Sequence, residues 1–327
     1  MRTLIVGVGA LGGTIATRAI AAGMPVRLAT RTSDSAGLLR SSGLRVSGVG
    51  GPAAAASVDV APLEDYCEAE PFDLILLATK AHDALEIAPS LSRRLVSGGT
   101  LLCIQNGGVS QILGERLGTI VLGGLSNLGA TMVEPGVYEQ RNAGHLLIGE
   151  LIGGDSERAA KVAGFLSGAI ETRTTADLPG AMWAKLLLNC SVTTLGAIAG
   201  RTMREYISSP SGREVFRGAY DEALAVALAN GTRPQRMIVD PFPPDTGYDA
   251  WIDAVLAAYG DVKPSMLQDF ERRRRTEIDF INGYVAHLGG RLGVPVSTNA
   301  AVTEMVHRIE RGELQPDPRR LDELRGR

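Results

Sequence analysis

Cysteine is scarce in this chain of 327 residues: there are three, Cys67, Cys103 and Cys190. An odd, sparse set without C-x-x-C spacing supports neither a disulfide framework nor a zinc site, and it fits a reducing cytoplasm. Aromatic residues make up only 5% of the chain. The four histidines, His82, His145, His287 and His307, show no ligand spacing such as H-x-x-x-H, so no metal is expected. An excess of either charge is also missing. The 33 Lys+Arg and 36 Asp+Glu leave a net charge of −3, which argues against nucleic acid or an anionic membrane as the main partner. No apolar run approaches the roughly 20 residues that span a bilayer. The opening Met1-Arg2-Thr3-Leu4-Ile5-Val6-Gly7 is too short for a signal-peptide core and reads as a strand.

Glycine, by contrast, is abundant: 40 residues, about 12% against an average of roughly 7%. It has no G-X-Y period, which excludes collagen. The 45% hydrophobic content excludes disorder as the main state. At this length a chain tends to split into two domains. Residues 3–8, 25–29, 74–78 and 100–104 are short apolar runs separated by helix-length segments, the pattern of βαβ units and a parallel sheet. Residues 120–152 carry Gly and turn signals and suggest an antiparallel extension. Helical patterns then dominate at 181–199, 211–229, 248–259, 265–288 and 299–311. The expected fold class is α/β: an N-terminal Rossmann-type doubly wound sheet over residues 1–175, then an all-helical domain over 176–327, with the boundary near 171–178. Residues 53–56 read as a low-complexity surface patch, 240–247 as a proline-rich loop, and the charged tail 312–327 as frayed.

Gly7-Val8-Gly9-Ala10-Leu11-Gly12 is G-x-G-x-x-G between a strand and a helix, the context that a dinucleotide site requires. Gly7 permits the tight turn, Gly9 lets the backbone approach a pyrophosphate, and Gly12 lets helix and strand pack closely. The helix N-terminus adds N–H groups and the positive end of a dipole. The end of the second strand, Leu28-Ala29-Thr30-Arg31-Thr32-Ser33, lacks the acid that would bond a ribose 2′-OH and offers Arg31 instead. A guanidinium suits a 2′-phosphate, so NADP(H) is the expected cofactor; a solvated arginine is the bland alternative.

Two more strand ends carry Thr79-Lys80-Ala81-His82 and Gln105-Asn106-Gly107-Gly108. Lys80 suits an anion and Asn106 a polar cofactor or substrate group, although Asn-Gly equally makes a turn and His82 suits a plain surface loop. In Met182-Trp183-Ala184-Lys185-Leu186-Leu187-Leu188-Asn189-Cys190, Lys185 and Asn189 stand one helical turn apart. Burial would lower the lysine's pKa toward neutrality and make it a proton donor; a lysine snorkelling from the helix edge fits the spacing equally well. Within 265–288, Glu277 shares a helical face with Phe280, Ile281 and Tyr284 and is a candidate partner for that lysine. Arg272–Arg275 reads as a solvated stretch of the same helix rather than a nucleic-acid contact.

Together these segments resemble the ketopantoate reductase (2-dehydropantoate 2-reductase) family. The likeness runs from residue 1 to about 310 and rests on GVGALG at Gly7–Gly12, TKA at Thr79–Ala81, QNG at Gln105–Gly107, WAKLLLNC at Trp183–Cys190 and SMLQD…TEIDFING at Ser265–Gly283. The last two are the specific ones. The resemblance implies reduction of a small 2-keto acid by NADPH on the route to pantothenate. Lys185 would be the general acid and Glu277 its partner. Gly7, Gly9, Ala10, Leu11, Gly12, Arg31, Lys80 and Asn106 would serve the cofactor. Asn106, Lys185, Asn189, Thr193 and Ser265 would meet the substrate. Two positions depart from the family pattern: Thr193 stands where a second Asn is usual, which puts the substrate in question, and Asp83 where Gln is frequent. A β-hydroxyacid dehydrogenase relative and a non-catalytic NADPH-binding sensor are the competing readings. A homodimer is compatible with the helical half, whose oligomeric state the sequence leaves open.

Overall fold

The computed structural model describes residues 1–67, 70–244 and 247–326. Positions 245 and 246 of the proline-rich loop therefore lie outside the described residues. The chain folds as two compact units: Met1–Gln105 with Val109–Leu178, and Asn106–Gly108 with Pro179–Arg327.

The first unit contains strands β1 (Thr3–Val6), β2 (Val26–Thr30), β3 (Leu44–Gly48), β4 (Ala53–Ala55), β5 (Val60–Pro62), β6 (Phe72–Leu77), β7 (Leu95–Cys103), β8 (Val121–Ser126), β9 (Ala130–Glu134), β10 (Val137–Gln140), β11 (Leu146–Gly149) and β12 (Thr172–Thr174). Its helices are α1 (Ala10–Ala21), α2 (Ser33–Ser42), α3 (Ala81–Ser92), α4 (Val109–Leu117) and α5 (Glu157–Leu166). Eight strands form one sheet in the order β12-β11-β8-β7-β6-β1-β2-β5. Every neighbouring pair in it is parallel except β11 with β8. Leu74, Ile75, Leu76 and Leu77 are fully buried in succession, because helices cover both faces of a parallel sheet and each residue needs an apolar neighbour. The strand order reverses between β1 and β6, and this switch point is where doubly wound sheets bind their ligands.

The stretch 120–152 carries the expected antiparallel pairs, β8 with β11 and β9 with β10, but does not form a single antiparallel extension. Strand β8 is buried throughout and joins the main sheet parallel to β7; β11 alone runs antiparallel to it. The β9–β10 hairpin turns at Pro135-Gly136, and β10 pairs with β3 in a separate four-stranded sheet of order β4-β3-β10-β9. Of residues 53–56, expected as a low-complexity surface patch, Ala53–Ala55 form β4 of that sheet, with Ala55 buried against the core.

The second unit is helical: α6 (Leu178–Leu188) leads into it, followed by α7 (Thr194–Ala199), α8 (Met203–Tyr206), α9 (Pro210–Ala229), α10 (Tyr248–Tyr259), α11 (Ser265–Glu271), α12 (Asn282–Leu292) and α13 (Ser297–Glu310). Among the described residues it holds no strand. Its core gathers Leu187, Leu195, Phe216, Val226, Val285 and Val302. Contrary to the expectation that no apolar run approaches membrane-spanning length, the helical stretch Leu178–Ala199 is long and apolar enough to cross a membrane by length and composition; most of it is buried inside the protein.

Two further expectations are corrected. The helix expected over 265–288 breaks after Glu271. Arg273 takes φ 50°, the left-handed region that ends helices, and the amides of Arg273 and Arg274 bond back to Phe270 and Asp269. Glu277 thus lies in a turn before a short 3₁₀ segment, Ile278–Phe280, and owes its position to that turn rather than to a helical face. The tail does not fray either. Pro318–Leu324 forms a 3₁₀ segment that buries Leu321 and Leu324, the Asp317 amide bonds the Ile198 carbonyl at 2.9 Å, and Arg325 pairs with Glu214 at 2.8 Å.

Candidate functional site

In the first unit the glycine turn closes β1 onto α1. Gly7 has φ 97°, and a Cβ there would lie 2.7 Å from the Thr79 amide nitrogen behind β6. A Cβ on Gly12 would lie 2.0 Å from the Gly7 carbonyl oxygen and 2.8 Å from Ala78 Cβ, so helix and strand can meet only without it. Gly9 is different: a Cβ there would meet nothing within 4 Å. Protein packing therefore does not require glycine at position 9, while a ligand backed onto the turn would. Gly9 is also the N-cap of α1; no side chain caps that end and no acid stands in its first turn. The N–H groups of Ala10, Leu11 and Gly12 open the helix, and such an end suits a pyrophosphate. The chain thus fits a dinucleotide here.

Arg31 follows β2 and is exposed, with its guanidinium 2.5 Å from the Asp83 carboxylate. Lys80 is exposed at the N-cap of α3, after β6. Gln105, at the end of β7, is buried and donates through Nε2 to the carbonyls of Leu77 and Thr79, at 2.8 and 3.1 Å. It ties two strand ends of the sheet together.

In the second unit Lys185 lies in the apolar helix α6, flanked by the buried Ala184 and Leu186. Burial lowers its pKa from the ordinary 10.5 to about 8, while the opposite charge of Glu277 acts to raise it. Asn189, one turn on, begins a π-helical turn, Asn189–Thr193. Such turns leave carbonyls short of regular partners, and here side chains supply them. Thr193 and Thr194 hydroxyls donate to the Asn189 carbonyl at 3.1 and 2.9 Å, Asn282 Nδ2 to Cys190 at 3.1 Å, and the Tyr206 hydroxyl to Ser191 at 2.7 Å. The single hydroxyl proton of Thr193 is thereby committed to the backbone.

Glu277 is positioned by its neighbours. The buried Thr276 donates its amide to Glu310 at 2.6 Å, the Ile278 amide bonds the Thr276 hydroxyl, and the Phe280 amide bonds the Glu277 carbonyl at 3.0 Å. The Asn106–Gly108 loop docks on this turn. A Cβ on Gly107 would lie 1.9 Å from the Phe280 carbonyl oxygen, and the Gly108 amide donates to that oxygen at 2.9 Å. The close approach leaves Asn106 Nδ2 3.4 Å from Glu277 Oε2. Lys185, Glu277 and Asn106 therefore form an electrostatic cluster: an ammonium whose pKa burial lowers to about 8, a carboxylate whose charge acts to raise it, and an amide on the carboxylate. Such a group can hold a proton and deliver it to an oxygen that gains negative charge. Ser265 is exposed in the first turn of α11, and among the described residues none hydrogen-bonds its hydroxyl.

Sequence reasoning missed three supports of these groups. Tyr138 on β10 packs on Gly13, where a Cβ would lie 2.1 Å from the ring, and its hydroxyl donates to the Val8 carbonyl inside the glycine turn at 3.1 Å. The doubled Gly12-Gly13 was the available signal. Asn282 and Asn299 link the π turn to Glu222 through buried hydrogen bonds of 2.9 to 3.1 Å, and Glu310 anchors the turn that carries Glu277; neither leaves a local pattern in the sequence.

Comparison with known proteins follows the same two-part division. Residues 3–153 match the family described as ketopantoate reductase PanE/ApbA, and residues 177–310 match its C-terminal family. The chain is 29% identical over 316 residues to a 2-dehydropantoate 2-reductase of Archaeoglobus fulgidus, covering 95% of this chain and 98% of that one. Among solved structures it resembles a 2-dehydropantoate 2-reductase from Geobacter metallireducens, with TM-score 0.80, 28% identity, and coverage of 94% and 99% of the two chains. It also shares the fold of a D-mandelate dehydrogenase solved with NADH and anilino(oxo)acetate, with TM-score 0.80 and 22% identity over 95% and 99% of the chains.

Proposed function

The chain belongs to the ketopantoate reductase family, and we propose that it uses NADPH to reduce 2-dehydropantoate, or a related 2-keto acid, to the 2-hydroxy acid, with Lys185 supplying the proton. As a member of this family it is an oxidoreductase acting on CH–OH groups. The observation that carries the chemical reading is the lysine of lowered pKa in an apolar helix, with Glu277 as its charge partner and Asn106 on the carboxylate.

A bound nicotinamide cofactor supplies the hydride; the rest falls to this chain's side chains. Gly7 and Gly12 shape the turn, the N–H groups of Ala10 and Leu11 with the open side of Gly9 receive the pyrophosphate, and Arg31 and Lys80 supply positive charge toward the phosphates. Hydride arrival turns the substrate carbonyl oxygen into an alkoxide. Lys185 Nζ gives that oxygen its proton, and the pKa of about 8 leaves most of the ammonium protonated at neutral pH while making it a better donor than an ordinary lysine. Glu277 keeps the ammonium charged and oriented until transfer. Asn106, Asn189 and Ser265 are assigned to hold the substrate's polar groups.

Thr193 is the reason to include a related keto acid. It replaces an amide with a shorter hydroxyl already given to the Asn189 carbonyl, so the far polar end of the substrate meets one strong donor fewer. A panel of 2-keto acids with tails of different size and polarity tests this. The expected result is that kcat/KM for at least one keto acid with a less polar tail equals or exceeds that for ketopantoate. A clear maximum at ketopantoate would remove the Thr193 argument and leave ketopantoate itself as the substrate.

A further inference from the structure

Arg31, to which the reading above gives the 2′-phosphate, is not a bare cation. Its Nη2 lies 2.5 Å from Asp83 Oδ1. Arg31 follows β2, and Asp83 lies in the first turn of α3 behind β6. Strands β2 and β6 flank β1 on its two sides, so the ion pair reaches across the strand whose end carries the glycine turn. The Arg31 side chain is 74% exposed and that of Asp83 35%. The guanidinium can turn away without breaking a buried contact, while the carboxylate, on the helix, stays behind.

We propose that Asp83 is a specificity-determining residue: it competes with the cofactor's 2′-phosphate for Arg31 and thereby narrows the preference for NADPH over NADH. The proposal rests on the reading of Arg31 as the phosphate's partner. A 2′-phosphate that takes the guanidinium must displace one carboxylate–guanidinium pair, and it then stands within ion-pair range of an uncompensated carboxylate. An unphosphorylated ribose incurs neither cost, and its 2′-OH can donate to a carboxylate. Exposed ion pairs are weak, so Asp83 tempers the selectivity of Arg31 without reversing it. A neutral amide of the same size would leave Arg31 wholly to the phosphate.

The test is direct titration of the full chain, without substrate, by NADPH and by NADH, followed by calorimetry or by the fluorescence of its two tryptophans. Asp83→Asn and Asp83→Gln are expected to tighten NADPH by about threefold to tenfold, the scale of an exposed charge contact with a multivalent anion, and to leave NADH within about twofold. The gain should vanish in an Arg31→Ala background and shrink with added salt. If both Asp83 variants leave the NADPH/NADH Kd ratio unchanged while Arg31→Ala lowers it, Arg31 holds the phosphate and Asp83 does not temper it, which overturns the proposal alone. If Arg31→Ala also leaves the ratio unchanged, the reading of Arg31 fails and the proposal falls with it.

Discussion

Replacing Glu277 with glutamine should move the pH dependence of reduction in a direction fixed by the electrostatics of the cluster. Lys185 stands at about 8, pulled down by burial and pushed up by the Glu277 charge. Glutamine keeps an oxygen that can accept from Asn106 but removes the charge. The push is lost, burial remains, and the pKa falls. An opposite charge at close range is worth about 1 to 3 pKa units, and the lower figure puts the variant near 7. The protonated ammonium is the proposed donor, so the rate should fall as pH rises through the lysine pKa. At pH 7.5 the protonated fraction would drop from about 75% to about 25%, a loss of about threefold in kcat/KM, while at pH 6 the charge effect would nearly vanish. The assay is NADPH oxidation with a saturable keto acid across pH 5.5–9.5, fitted for the descending limb. A limb that stays near 8 in Glu277→Gln, or that moves upward, would refute the coupling of these two residues.

Other outcomes follow from the same structure. Gly9→Ala places a methyl group in open space at an N-cap with φ −79°, so its unfolding free energy should stay within about 1 kcal/mol of wild type, the scale of a changed cap, whereas dinucleotide Kd should rise at least about tenfold; equal affinity would show that nothing approaches the turn there. Lys185→Met should change the pH dependence of stability. The folded-state pKa of about 8 lies below the ordinary 10.5, so the unfolded chain binds the proton more tightly and the burial cost is in full force below pH 8. As pH climbs from 8 to 10.5 wild type should gain on the variant by up to about 3 kcal/mol, read by denaturant melts at pH 7 and 10; a gap that stays constant would mean that Lys185 titrates normally.

Much of the first unit is legible in the sequence because its strands are buried on both faces and show as unbroken apolar runs between helices, and because the turn after β1 demands glycine for steric reasons. The smaller sheet is less legible: β3, β4 and β10 are short, and Ala53–Ala55 has no alternation that would mark a strand. Lys185 and Asn189 stand out because polar residues in an apolar helix are costly without a purpose. Glu277 is a different case. Helical periodicity points to the residue but gives the wrong geometry, since the pattern continues past Arg272 while the backbone does not. What fixes Glu277 is the Thr276 amide bond to Glu310, 34 residues away, and the docking of the Asn106 loop on Phe280. Long-range anchors of this kind leave no local period. The exposed tail likewise reads as frayed from its charge, whereas Leu321 and Leu324 are enough to seat it.

The central claim is that Lys185 protonates the reduced carbonyl oxygen. Single-turnover and steady-state NADPH oxidation with ketopantoate by wild type and Lys185→Ala, with cofactor Kd measured on both, tests it most directly. The account predicts turnover by wild type, a loss in kcat of about 10²- to 10⁴-fold in the variant, and an NADPH Kd within about twofold of wild type. A Lys185→Ala enzyme with normal kcat, or a wild type that binds NADPH and turns over no 2-keto acid, would contradict it.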